Sequence, residues 1–335
     1  MEERKVIQNF EEIYSKKIFP SLEPLEHERI TARKNSAILT IIAIAFCVLA
    51  GYLYSISNMT LMFVAIVIAV ILFIIGVSQL EKVRAKLKKE VLPKILSSIG
   101  NIFFTPNQQA ISLRDIHSFG LYPASSYKTN DDVFVGIHKD CNFIINECSL
   151  THKEDRYYRD NKNEPVTKTI TDFRGLILKL QMKKNFTGLT VLGPSKEIER
   201  AKGTESVTLE SINFMKDRKI YSTDQIEARY ILTTSFMERL DNITYNFKYC
   251  AQNTFEEKSI FSKLISSDEY EMETDISAAF YNGYAYIFVP VYEDLFEVDT
   301  STTLLDSEKY YQVYKQIRSI LELIELLNLD KNLGL

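Results

Sequence analysis

Four residues with metal-binding chemistry lie close together in this chain: His138-x2-Cys141-x6-Cys148-x3-His152. Two thiolates and two imidazoles make a tetrahedral zinc donor set, and a strand hairpin would bring the ends of such a run together. Against zinc, the spacing is not that of a standard finger. Small buried cysteines and surface histidines also account for the same residues without a metal. We therefore expect no metal at this set. A second polar group is Asp224, Glu227 and Arg229. Asp224-x-x-Glu227 is an Asp-headed capping box, in which Asp224 accepts from the first backbone amides of a helix and Glu227 answers it. Arg229 then pairs with a carboxylate or packs its stem on Tyr230. Read this way the cluster is structural, and Asp224→Ala costs more than Glu227→Ala. The competing use of Glu227 and Arg229 is contact with a partner or ligand at the helix start, so these two are the candidate interaction residues.

Catalytic signatures are not found. The chain has no G-x-S-x-G elbow, no phosphate-binding loop of the Walker type, no G-x-G-x-x-G after a strand and no H-E-x-x-H. Eleven glycines in 335 residues leave little material for phosphate-cradling loops. No catalytic residue, cofactor or cofactor-binding residue is assigned, and a binding role is favoured over an enzyme.

The elements that must carry these residues begin with two uncharged apolar runs, Ala37–Tyr54 and Thr60–Val77, of 18 residues each. At 1.5 Å per residue each makes roughly 27 Å of helix, close to the hydrocarbon thickness of a bilayer. Buried core helices are the alternative, but two adjacent runs this long and clean favour a transmembrane hairpin closed by Ser55-Ile56-Ser57-Asn58-Met59. Arg29, Arg33 and Lys34 precede the first run, and Lys82, Arg84, Lys86, Lys88 and Lys89 follow the second, while the linker has no charge. The positive-inside rule then places both flanks in the cytoplasm. The 36 charged, helix-patterned residues before the first run do not have the form of a signal peptide. Ala43, Cys47 and Gly51 on the first run, with Ala65 and Ala69 on the second, are small residues that let helices approach. They serve the hairpin itself or self-association between hairpins. No ionisable group lies within either run, which disfavours transport.

Charge divides along the chain. Residues 1–100 hold 13 Lys+Arg against 9 Asp+Glu, and residues 101–335 hold 27 against 35. The basic part suits anionic lipid, and the acidic part argues against nucleic acid as a partner. Of the cysteines at 47, 141, 148 and 250, the first lies in an apolar run, and a cytosolic compartment keeps the others reduced.

Val6, Phe10, Ile13, Tyr14 and Ile18 recur at helical spacing up to Pro20, which is expected to end that helix. A further helix over about Leu25–Ser36 leads into the first apolar run. Leu80, Val83, Leu87, Val91, Ile95 and Ile99 predict a stalk helix after the second, kinked at Pro93. Asn101–Asn130 reads as a connection. Strands are predicted at Val133–Ile137, Asn142–Cys148, Phe173–Met182, Leu189–Leu192, Val207–Leu209 and Ile220–Tyr221, with Thr151–Thr169 an exposed loop, locally disordered around Arg156–Pro165. Asn282-Gly283 between Ala278–Tyr281 and Tyr284–Val291 predicts a type I′ hairpin. The helix at Asp224 should break near Thr233-Thr234-Ser235. Tyr310, Val313, Tyr314, Ile317, Ile320, Leu321, Ile324 and Leu327 predict a long C-terminal helix with one apolar face.

Tyr221-Ser222-x-Asp224-Gln225-x-Glu227-Ala228-Arg229-Tyr230-Ile231-Leu232-Thr233, followed by Phe236-Met237-Glu238-Arg239-Leu240, resembles a bacterial membrane-anchored family catalogued as domain of unknown function 3137. Phe173-Arg174-Gly175-Leu176, Asn185-Phe186-Thr187-Gly188 and Leu295-Phe296-Glu297 agree in order and spacing, so the resemblance covers roughly Val133–Val298. Arg174 stands where that family usually has Lys, and Thr234 and Val298 stand where it has Pro. The resemblance implies an N-terminal membrane hairpin. It implies no catalytic residue.

The expected fold class is α+β: a two-helix transmembrane hairpin with a helical stalk, then a mixed, mainly antiparallel β domain with an inserted helix and a long C-terminal helix. The expected division is 1–36 as a cytoplasmic helical segment, 37–79 as the hairpin (37–54 and 60–77), 80–100 as the stalk and 101–335 as the cytoplasmic domain. The expected place is the bacterial inner membrane, multi-pass, with both termini cytoplasmic. The expected partners are the lipid bilayer, another protein at the membrane and a second copy through the small-residue faces. The expected role is a membrane-tethered scaffold, sensor or binding protein. The alternative is a membrane-anchored enzyme acting on a membrane-proximal substrate.

Overall fold

The computed structural model describes residues 10–106, 108–156, 166–194, 201–216, 218–241, 276–291 and 295–327. Val6, Cys250 and residues 157–165 of the polar loop lie outside the described residues. The chain forms two units, one of Met1–Ile99 with Phe296–Ile317, the other of Gly100–Leu295 with Arg318–Leu335.

The first unit is built on two long helices, α1 (Phe19–Ser55) and α2 (Met59–Ile99). Pro20 does not end the first helix. A single π turn, Tyr14–Ile18, precedes α1 and puts Pro20 in its first turn, where the missing N–H costs nothing. Both helices contain a stretch long and apolar enough to cross a membrane, and only 17% of each such window is buried. Val48 (70% exposed), Ile41 (67%) and Phe63 (61%) face outward, while Ala43, Ala50, Ala65, Ala69 and Gly76 are buried. The inner seam therefore differs in detail from the expected stripe: Cys47 and Gly51 are exposed, and Ala50 and Gly76 take their place. A methyl group added at Gly76 would meet Ser36 and Leu39 at 3.4–3.6 Å, which shows how closely the helices approach there. Beyond the apolar windows ordinary water-excluding packing takes over. Leu22, Leu25 and Ala32 of α1 and Val83, Leu87, Val91 and Ile95 of α2 are buried, as are Phe296, Leu304, Tyr310 and Val313.

The second unit is a nine-stranded sheet with every neighbouring pair antiparallel. Its strands are β1 (Asn101–Phe104), β2 (Tyr127–His138), β3 (Cys141–Arg156), β4 (Val166–Gln181), β5 (Leu189–Pro194), β6 (Glu205–Ser206), β7 (Arg218–Ser222), β8 (Ser277–Tyr281) and β9 (Tyr284–Pro290). The spatial order is β1-β2-β3-β4-β9-β8-β5-β7-β6. Asn282 (φ 49°) and Gly283 (φ 76°) close β8 on β9, as the type I′ signal requires. Lys139 and Asp140 do the same between β2 and β3 with φ of 45° and 63° and no glycine.

Two expectations are corrected here. Asn101–Asn130 is more than a connection: it supplies β1, helix α3 (Leu113–Ser118) and the start of β2. Ile111, Ile116, Phe119 and Leu121 of this stretch pack on Leu150, Phe173, Ile177 and Phe288 of the sheet. Thr151–Thr169 is not all loop, since β3 and β4 remain paired out to Arg156 and Val166. The sheet also carries α4 (Ile212–Met215) and α5 (Gln225–Ile231), then, after a break at 232–233, helical residues 234–241. The last helix, α6 (Ser307–Leu327), buries the predicted face, Tyr310, Val313, Tyr314, Ile317, Ile320, Leu321 and Ile324. The architecture is α+β, with long apolar N-terminal helices, an antiparallel sheet and a C-terminal helix.

Candidate functional site

Asp224 sits just before α5 in extended geometry, and its Oδ1 accepts from Ile226 N–H (2.7 Å) and Glu227 N–H (3.0 Å). That is the N-cap its sequence foretold. Glu227 does not answer it. The N–H of Asp224 goes instead to Ser222 Oγ (3.1 Å), and the carboxylate of Glu227 accepts from Thr187 N–H (3.2 Å) and Gly188 N–H (2.7 Å). A Cβ at residue 188 would lie 2.7 Å from Glu227 Oε2 and 2.8 Å from Thr223 Oγ1, so glycine is what lets the carboxylate reach the loop. Two motifs far apart in sequence, Asn185–Gly188 and Asp224–Thr233, are thus one corner. Arg229 pairs with no carboxylate in this corner: Nη1 donates to Gln225 O (2.8 Å) and Gln225 Oε1 (3.0 Å), and Nη2 to Thr208 O (3.3 Å). Lys184 closes the other end of α5, donating to Tyr230 O (2.6 Å) with its ammonium 4.6 Å from the Tyr230 ring centre. Ile226 stands 80% exposed beside Glu227.

The Cys/His set is drawn to separate partners. His138 Nε2 lies 2.7 Å from Glu325 Oε1, and His152 Nδ1 lies 2.7 Å from Asp172 Oδ1. Cys141 and Cys148 are buried, and burial raises both thiols above their ordinary range, Cys148 to about 12. Among the described residues no three His, Cys, Asp or Glu side chains are grouped to hold a metal ion.

Other polar arrangements carried no local signal. Lys128 lies in the sheet with its ammonium donating to Ile111 O (2.8 Å) and Asn146 Oδ1 (2.5 Å), and burial pulls its pKa below the lysine range. Asp172, the extra residue where β3 and β4 shift register, accepts from Ser126 Oγ (2.6 Å) as well as holding His152. Gly175 has φ 149°, and a Cβ there would fall 2.1 Å from Val289 O. This explains the glycine of Phe173-Arg174-Gly175-Leu176 as a close approach of β4 to β9. In the first unit Phe296 is a buried aromatic at φ 58°, with its N–H on Gln316 Oε1 (3.0 Å). Glu297 beside it accepts from Lys88 Nζ (2.7 Å) and lies 3.8 Å from Arg84 Nε. The Phe296-Glu297 end of this motif therefore pins the strap, the segment from Phe296 to the start of α6, to the stalk, something only the tertiary structure reveals.

One surface stands out by chemistry. β1 is hydrogen-bonded to β2 and, among the described residues, has no strand on its other side. Next to that margin Phe103 (70%), Ile137 (54%) and Val135 (37%) are exposed.

A comparison with curated proteins returns no match. The crystal structure of the mycobacterial trehalose monomycolate transport factor A, TtfA, superposes with a TM-score of 0.30 at 9% identity, over 69% of this chain and 91% of that one. So distant a likeness supports no argument about this chain. The profile of a family described as "Protein of unknown function (DUF3137)" matches residues 171–270 and 258–329. Those residues include the Gly175 approach, the Glu227 corner, the Leu295–Glu297 strap and α6, so this chain carries the domain of unknown function 3137 to which its motifs pointed.

Proposed function

We propose that this protein is a membrane-tethered binding protein, a scaffold, sensor or adaptor at the inner membrane of a bacterium. In this reading α1 and α2 cross the bilayer and both ends of the chain face the cytoplasm. The observation that carries it is the inverted burial of the helical pair, alanine and glycine inside and Val48, Ile41 and Phe63 outside. Water would penalise such a surface and lipid would not. The uncharged linker and basic flanks support the orientation. For the binding role, the free margin of β1 with its apolar neighbours suits a protein partner that adds an extended segment to the sheet. The start of α5, with Glu227 and Arg229, is the other surface considered.

Reporter fusions at Met1 and Leu335 should both report cytoplasm, and a label at Asn58 should react only from outside. A periplasmic C-terminus would overturn the orientation. Photo-crosslinkers placed at Phe103 and at Ile226 in the membrane-embedded protein test the binding surfaces. Capture of a protein at Phe103 supports the sheet margin, and capture at Ile226 supports the α5 corner. Capture at neither overturns the adaptor reading.

A further inference from the structure

We propose that the membrane-proximal turns of α1 and α2 form a collar for anionic lipid headgroups, with Arg33, Lys34 and Lys82 as the cations that meet lipid phosphate. The inference rests on the proposed membrane hairpin. Arg33 and Lys34 lie four and three residues before Ala37, and Lys82 five after Val77. At 1.5 Å per residue these are about 4–8 Å outside the hydrocarbon, the depth of the headgroup layer.

All three side chains belong to exposed residues. Among the described residues, Lys34 and Lys82 have no ion-pair or hydrogen-bond partner. Arg33 donates to the uncharged Ser301 O (2.6 Å), which fixes its guanidinium without neutralising it. The acids at this height are already engaged. Glu81 lies 3.5 Å from Arg84, and Asp299 holds Ser301 N–H (2.8 Å) and Lys309 (3.3 Å). Cations that face the packed strap or the other helix are matched by carboxylates: Arg29 with Glu26, Lys86 with Glu28 and Lys88 with Glu297. The collar is therefore unneutralised charge at the depth where phosphate would lie. Among the described residues Lys17, Lys89 and Lys94 are also unpaired, but they sit roughly 18 Å or more along the helices from the hydrocarbon, past a Debye length of about 8 Å at physiological salt. They supply a matched control.

The full-length protein is reconstituted into vesicles containing spin-labelled phosphatidylglycerol or phosphatidylcholine, and the immobilised fraction of each label is read by EPR. Wild type should prefer phosphatidylglycerol, by about fivefold per engaged cation at physiological salt. The preference should fall as salt is raised. The R33Q/K34Q/K82Q variant should lose most of it, and K34Q/K82Q, which keeps the Arg33–Ser301 contact, should lose part. The K17Q/K89Q/K94Q control should keep it. Equal preference in wild type and the collar variant, or equal loss in the control, would overturn the collar. Immobilisation of neither lipid would instead show that the helices do not enter the bilayer, and the hairpin reading would fall first.

Discussion

The helical pair and the sheet spend the same side chains in opposite ways. In the sheet Phe143, Phe280 and Phe288 are at most 1% exposed, while in the helical pair Phe63 and Phe73 are 61% and 53% exposed. The sheet excludes water by burying its largest apolar groups. Within its apolar windows the helical pair buries only alanine and glycine and leaves its large apolar groups exposed. Hydrophobicity alone therefore does not tell inside from outside in this chain. Every residue buried within the apolar windows is alanine or glycine, although Ala37, Ala45 and Gly51 are small and exposed.

A pair of glycines gives the sharpest way to break this contrast. Gly175→Ala places a methyl group against Val289 O at a φ of 149°, and we expect a loss of about 4 kcal/mol or more, read as a collapse of the sheet's melting transition. Gly51→Ala, with nothing within 4 Å of the new Cβ, should leave melting unchanged. Next in size is a phenylalanine pair. Phe288→Ala should cost about 3–5 kcal/mol, and Phe63→Ala no more than about 0.5 kcal/mol in detergent or bilayer, both followed by circular dichroism. A large effect at Phe63 would mean that its outward face is covered by something other than lipid.

Within the sheet unit, Glu227→Ala removes an acceptor for two amides and should cost about 2 kcal/mol, more than the loss of about 1 kcal/mol for Asp224→Ala. This reverses the order the capping box implied. If Glu227→Ala or Arg229→Ala melts like wild type yet loses a partner in cells, the corner is a working surface. The smallest effect is expected in acid. Glu26 has its pKa held below the ordinary glutamate value by the hydrogen bonds it accepts from Arg29, with Leu304 N–H adding to them. A depressed carboxylate pKa stabilises the fold above the unfolded value, and that contribution is lost as pH falls through the folded one. The packing of α1 on the Leu304 segment should therefore weaken as pH falls through and below the ordinary carboxylate range, and Glu26→Gln should flatten that dependence.

What was legible in the sequence was local. The apolar runs, the Asp224 cap and the Asn282-Gly283 turn each state their geometry within a few residues. The face of α6 was equally plain from its period. What was hidden depends on distant partners. β1 is four residues long and alternates weakly, so nothing marks it until β2 lies beside it. The outer ends of β3 and β4 are polar because they pair with each other and cover no core, which removes the alternation that announces a strand. Glu227 was misplaced because a capping box explains it within four residues, whereas its true donors are 39 and 40 residues away. Lys128 and Asp172 gave no sign of burial, since a lone lysine or aspartate in a strand normally faces water.

The strand order has a consequence for how this protein is made. β9 and β8 lie between β4 and β5, although they are the last strands to leave the ribosome. While the chain lengthens from Leu189 to Ser277, β4 holds one edge open and β5 another, with β7 and β6 already at hand beyond it. The α1–α2 pair, by contrast, is complete before any strand exists. By strand order alone, a chain made that far has β1-β2-β3-β4 on one side of the missing pair and β5-β7-β6 on the other. Only the β8–β9 hairpin closes that gap, and it arrives as one piece because its own turn folds it.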